Sequence, residues 1–172
     1  MKIYALCIAV IGLLVSVAGA QQNQANRLAS ADSSFITKAA QGGMAEVELG
    51  NLAKEKASNA KVKEFAQRMV DDHTKANDQL KSVAANKGIT LPTSLDSKDE
   101  ATKTRLSSLN GEAFDHAYME DMVRDHKTDV SEFKREADRG ADTDVKGFAS
   151  QTLPTLQQHL QLAEDTLIQV KK

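Results

Sequence analysis

Apolar residues recur every three or four positions along most of this chain, and the breaks in that rhythm divide it into helices. Between Asn59 and Lys87 the residues Val62, Phe65, Ala66, Met69, His73, Ala76, Leu80 and Val83 share one helical face, and Gly88 follows as a stop signal. Before it, Asp32 or Ser33 is placed to cap a helix running to about Ala57. That helix turns Phe35, Gly42, Ala45, Leu49, Leu52 and Ala53 inward, and Ser58-Asn59 breaks it.

After Gly88, residues 89–111 hold Pro92 and a short helical piece near 98–109, long enough for a crossover. The spacing predicts a third helix over 112–139, with Tyr118, Met119, Met122, His126, Val130 and Phe133 on its inner face and Gly140 ending it. A fourth begins near Asp142 or Thr143 and runs to the C-terminus through Val145, Phe148, Ala149, Thr152, Leu156, His159, Ala163, Leu167 and Val170. Pro154 removes one backbone donor from it, so a kink is expected near 150–153. Two short breaks and one long middle connection imply an all-α, four-helix antiparallel bundle of ferritin-like type, in which the crossover makes the second and third helices parallel. An up-down-up-down bundle is the alternative.

The first twenty residues break the pattern. Lys2, the apolar run 5–17 and the small residues Ala18-Gly19-Ala20 have the form of a cleaved signal peptide. A run of about 13 apolar residues is short of the roughly 20 that span hydrocarbon, so no membrane span is expected in the mature chain. The organisation expected is a signal peptide over 1–20 and one helical domain over 21–172, placed in the periplasm or secreted. Cys7 leaves with the signal, which excludes disulfides, cysteine-based zinc sites and thiol nucleophiles from what remains.

Abundant Ala, Lys, Glu, Gln and Asp favour helix over strand. At about 150 residues a chain buries roughly 70% of its unfolded surface, enough for one core. Without Lys2 the 22 basic residues fall to 21, against 24 acidic ones, mixed along the chain. Nucleic acid is therefore excluded as a partner, because phosphate binding needs a concentrated basic face. Assembly into a homo-oligomer is left open.

The chemistry rests on an internal echo. Met69-Val70-Asp71-Asp72-His73 on the second helix returns as Met122-Val123-Arg124-Asp125-His126 on the third, and His159 lies on the apolar seam of the fourth, whereas His116 falls off its seam. At a rise of about 1.5 Å per residue, His73 lies about 22 Å past the break at Ser58 and Glu46 about 18 Å before it. His126 lies about 21 Å before the Gly140 break and His159 about 28 Å beyond it, an offset of about one turn. Glu46, His73, His126 and His159 thus converge near mid-height, one from each helix. Glu48 points about 200° away from Glu46, which makes Glu46 the inward carboxylate of the two.

One carboxylate and three imidazoles form a first shell for a transition metal: copper, zinc or iron. Met69 and Met122, each four residues before its histidine, would add thioethers suited to copper(I), and Glu48 and Asp115 stand as secondary candidates. The bland alternatives are that the methionines fill the core and that the histidines are satisfied by each other, Asp115, Asp129 or Tyr118 in a network fixing helix register. Di-iron chemistry needs Glu-x-x-His, and the positions three before the inward histidines are Val70, Val123 and Leu156. A Gly-rich phosphate loop, a nucleophile elbow and His-Glu-x-x-His are all absent, so no enzyme is expected.

Phe35, Ala39-Ala40-Gln41-Gly42-Gly43, Glu46-Val47-Glu48-Leu49-Gly50, Val62-Lys63-Glu64-Phe65-Ala66, both Met-Val-x-Asp-His copies, Phe114-Asp115-x-x-Tyr118 and Leu153-Pro154-Thr155-Leu156-x-x-His159 together resemble the exported bacterial proteins of domain-of-unknown-function family 4142. The resemblance spans about 34–163. It implies a ferritin-like helical bundle in the bacterial envelope, in or near the outer membrane, and no reaction. The reading at this level is an exported envelope protein of metal or stress homeostasis with a mid-bundle metal site; its alternative is a structural or interaction protein with no metal.

Overall fold

A computed structural model describes residues 28–170 of the chain. The expected signal peptide, 1–20, lies outside the described residues. These are all-α, with five helices and no strand: α1 Ser30–Lys56, α2 Ala60–Asn86, α3 Ser97–Ser107, α4 Gly111–Arg139 and α5 Thr143–Val170.

Local chemistry sets most of the boundaries. Asn59 caps α2 by accepting a hydrogen bond from the Lys61 amide, and Asp96 caps α3 by accepting one from Asp99. At the end of α2, Gly88 adopts a φ of 66°, which lets the Ile89 amide donate back to the Ala84 carbonyl at 2.9 Å in a Schellman turn. α5 runs unbroken across Pro154.

The start of α1 differs from the expected cap. The helix begins at Ser30, and Asp32 lies within its first turn. Its buried carboxylate instead accepts from the amides of Ala141 at 3.3 Å and Asp142 at 2.7 Å in the α4–α5 turn. Two charge-assisted bonds to an otherwise orphaned turn outweigh one local cap. The inner face of α1 also takes in Ile36, Ala40, Gly43 and Gly50, while Gly42 and Leu52 are only half-buried. A Cβ on Gly43 would lie 2.0 Å from Asn77 Oδ1, and one on Gly50 3.1 Å from the Ala66 carbonyl. These two positions let α1 and α2 approach closely.

Cross-helix contacts fix the directions. Along α1, Lys38 pairs with Glu132, Glu46 lies by His126, and Lys56 donates to the Leu109 carbonyl, so α1 and α4 are antiparallel. Phe65 against Tyr118 and His73 against His126 make α2 and α4 parallel. α5 runs against both, with Phe148 on Phe133, Glu164 on Lys127, His159 on Asp72 and Asp142 on Lys87. The stretch containing α3 carries the chain between the parallel pair.

The apolar core has two parts. One, built on Leu49, Phe65, Met69, Phe114, Tyr118 and Met122, lies toward the α1–α2 turn. The other, built on Phe35, Ile36, Leu80, Phe133, Phe148 and Leu156, lies toward the α4–α5 turn. Between them sit Glu46, His73, His126 and His159, all buried and in neither cluster. Burial therefore stabilises the two halves, and a polar layer separates them.

Candidate functional site

Three imidazoles meet in that layer. The His73 ring centroid lies 5.8 Å from His126 and 5.4 Å from His159, and His126 lies 5.4 Å from His159. Each ring offers a nitrogen such that all three lie within 4.8 Å of one another. The rings are 6%, 0% and 1% exposed for His73, His126 and His159.

Hydrogen bonds decide which nitrogens keep a lone pair. His126 Nδ1 is 2.9 Å from the Met122 carbonyl oxygen, which can only accept, so Nδ1 carries the proton and Nε2 is left with a lone pair. His159 Nε2 is 2.8 Å from Asp72 Oδ2, so that nitrogen donates and Nδ1 is left with a lone pair. Buried and without any partner are His73 Nε2, His126 Nε2 and His159 Nδ1. The Met122 carbonyl and the Asp72 carboxylate thus leave His126 and His159 with one unsatisfied lone pair each.

Electrostatics keep the rings neutral. Burial first, then the neighbouring His126 and His159, pushes the pKa of His73 well below the ordinary histidine value. Burial and His159 bring His126 down to about 4, against the opposing Met122 bond. Burial also lowers His159, with Asp72 opposing. Neutral imidazole is the form that binds metal.

Glu46 stands behind this trio. Its Oε1 is 3.6 Å from His126 Nδ1, the nitrogen already committed to Met122, so Glu46 sits on the far side of the ring from the lone pair. The residue is 0% exposed, and neither carboxylate oxygen has a hydrogen-bond partner. Its pKa is raised well above the ordinary value by burial first, then by Asp125 and Asp129. Burial and Asp125 likewise push Asp129 up to about 8. Glu46, Asp125 and Asp129 each bring an oxygen within 4.8 Å of the others. Tyr118 has a buried hydroxyl without a partner, and burial and Glu46 together raise it well above the ordinary tyrosine value.

The secondary candidates lie elsewhere. Glu48 is half-buried and pairs with Lys103 of α3. Asp115 accepts from the Ser58 amide at 3.0 Å, the Ser58 hydroxyl at 2.5 Å and the Asn59 amide at 2.8 Å, where it closes the α1–α2 turn. Met69 and Met122 are fully buried in the first apolar cluster, and Met122 serves the trio through its carbonyl. Sequence reasoning missed the grouping of Asp125 and Asp129 with Glu46; their i, i+4 spacing, which puts two acids on one helix face, was the available signal. Beside His73 a narrow cavity of about 20 Å³, lined partly by Gly43, Asn77, Asp129 and Phe133, has room for about one water.

Against known proteins, the sequence matches the family described as "Domain of unknown function (DUF4142)" over residues 17–166, and the chain belongs to that family. No curated protein sequence matches it. Among solved structures it is similar to a DUF305 fragment from Deinococcus radiodurans, at 17% identity and a TM-score of 0.73, covering 83% of this chain and 99% of that one. It is also similar to a DUF305 protein from Streptomyces coelicolor described as a presumed secreted protein, at 15% identity and a TM-score of 0.70, covering 83% and 93%. These likenesses show the fold. Among the described residues no helix is long and apolar enough to cross a membrane.

Proposed function

We propose that this chain is an exported, non-enzymatic protein of the bacterial envelope, a ferritin-like four-helix bundle that holds one transition metal ion on His73, His126 and His159. In this reading residues 1–20 direct export and are removed, and 21–172 form the single domain. The small-x-small sequence 18–20 supports export, and so does the presumed secretion of the Streptomyces relative.

One observation carries the metal reading. Within one buried trio, His126 Nε2 and His159 Nδ1 each keep a lone pair that no hydrogen bond satisfies, because the remaining nitrogen of each ring is already engaged. Buried unpaired acceptors are destabilising, and an ion accepting their electron pairs removes that cost. A neutral all-imidazole set suits zinc and copper, which are preferred to iron here because no carboxylate joins the facing nitrogens. Asp72 and the Met122 carbonyl act as positioning groups that fix each ring's tautomer. The cavity beside His73 holds about one water, which supports retention of an ion over turnover of a substrate and, with it, a role in metal or stress homeostasis.

Mass-spectrometric metal analysis of protein purified from periplasm, and of the same protein stripped and reloaded with zinc or copper(II), tests this. The expected result is one ion per chain, lost in the His73→Ala/His126→Ala double variant. A hundredfold excess of metal over Kd should also raise stability by about 2.7 kcal/mol. Equal metal content in the folded double variant and the parent, or a melting temperature unmoved by chelator, would overturn it in favour of histidines that only order the core.

A further inference from the structure

The geometry points to a second cation site, formed by Glu46, Asp125 and Asp129 and selective for a hard divalent cation of the magnesium, calcium or manganese class. It stands independently of the imidazole reading.

The acidic grouping alone would mean little, since exposed carboxylates often lie together. What sets this one apart is Glu46, fully enclosed, with both oxygens lacking any partner and one of them within 4.8 Å of oxygens from Asp125 and Asp129. A bare carboxylate in that position is expensive to bury. The cationic groups nearby do not neutralise it. Lys98 Nζ comes only to 3.9 Å of Asp125 Oδ1, and its side chain is 76% exposed. His126 gives its Nδ1 proton to the Met122 carbonyl.

Separation and donor type specify the occupant. Oxygens within 4.8 Å of one another can share one ion at bond lengths of about 2.1–2.5 Å, the range for magnesium, manganese and calcium. An all-oxygen set selects these hard ions, in contrast to the nitrogen set one ring away. Asp125 and Asp129 are half-buried, so the site opens toward solvent and water can complete the coordination. Asp99 on the crossover helix α3 adds negative potential at that opening, acting on Asp125, Asp129 and Glu46. The crossover segment thus lies over the mouth of the site, with Lys98 as a tethered ammonium beside it. His126 separates the two centres, one lone pair facing the imidazoles and Glu46 behind its other nitrogen.

Titrating chelator-stripped mature protein with Mn2+, and following free Mn2+ by its aqueous paramagnetic resonance, reads this site directly. One Mn2+ per chain is expected, displaced by excess Ca2+ and weakened about tenfold or more in Glu46→Gln and in Asp125→Asn. Asp125 is half-exposed, so the Asn variant tests the site even if Glu46→Gln fails to fold by circular dichroism. Loss of zinc in His73→Ala reports only on the imidazoles, and loss of Mn2+ in Asp125→Asn only on the carboxylates. Wild-type protein that takes up neither Mn2+ nor Ca2+, or folded variants that bind within about threefold of wild type, would overturn the assignment.

Discussion

Asp115, where α1 gives way to α2, and Glu46, midway along α1, are both out of contact with water, yet the first accepts three hydrogen bonds and the second none. Asp32 repeats the first pattern at the opposite end of the molecule, holding the α4–α5 turn. The difference separates architecture from function. At the ends, a buried carboxylate supplies acceptors that the orphaned amides of a helix start require. In the middle, buried acceptors lie beside other acceptors, and a proton or a cation between them makes their contact attractive.

Removing the end group gives the largest effect expected here. Asp115→Ala leaves two amides and a hydroxyl without their charged partner and should cost about 3 kcal/mol, lowering the melting temperature by roughly 10 °C. Glu46→Gln in metal-free protein should change stability by only about 1 kcal/mol, in the stabilising direction above pH 7, because the buried acid must take up a proton to fold and the amide need not. Thermal unfolding of both variants by circular dichroism checks the contrast. Equal destabilisation by the two would make Glu46 architectural and erase the distinction.

The pH dependence of metal-free protein sharpens the comparison further. Asp129, raised to about 8, and Glu46, raised in the same direction, contribute stability that is present at low pH and lost as pH climbs from about 4 toward 8. The histidines act with the opposite sign. Their lowered values leave stability intact above about 6.5 and remove it as pH falls through about 4, the value for His126. Above pH 6.5 only the carboxylates act, so the melting temperature should fall between pH 6.5 and 8 by an amount worth about 1 kcal/mol after solvent screening of half-buried Asp129. Asp129→Asn should flatten that limb. A wild-type profile that is flat or rising there would show that the middle carboxylates are not the charged group at issue.

Much of this arrangement was legible before any coordinates, and the reason is period. Apolar spacing in long helices is redundant, so Gly88, Asn59 and Gly140 marked helix limits to within a residue or two, and the rise per residue brought His73, His126 and His159 to one height. What the period does not carry is the target of a polar side chain. Asp32 looked like a local cap but reaches Asp142, and Asp115 looked like a core ligand but closes the α1–α2 turn. Glu46 was read correctly as facing inward, but a rotation of a few tens of degrees decides whether it meets the lone-pair side of His126 or its back. The carboxylate grouping depends on α4 presenting Asp125 and Asp129 to α1, a cross-helix relation with no local signature.

The smallest expected effects test the repeated Met-Val-x-Asp-His sequence, whose copies have parted in use. Asp72, just before His73, bonds His159 of α5, whereas Asp125, just before His126, faces Glu46 of α1. Asp71, one position earlier, is exposed and bonds Gln67 of its own helix at 2.8 Å. Asp72→Ala should cost about 1 kcal/mol, since Asp72 is itself partly exposed, while freeing the His159 tautomer and weakening zinc about tenfold. Asp71→Ala should change stability by under about 0.5 kcal/mol and leave zinc untouched. Calorimetric zinc titration of the two variants side by side separates them, because deleting either acid removes the same charge from the same helix turn. Equal zinc affinities would mean that general negative potential, and not the bond from His159 to Asp72, sets the trio, and the lone-pair geometry would lose its standing.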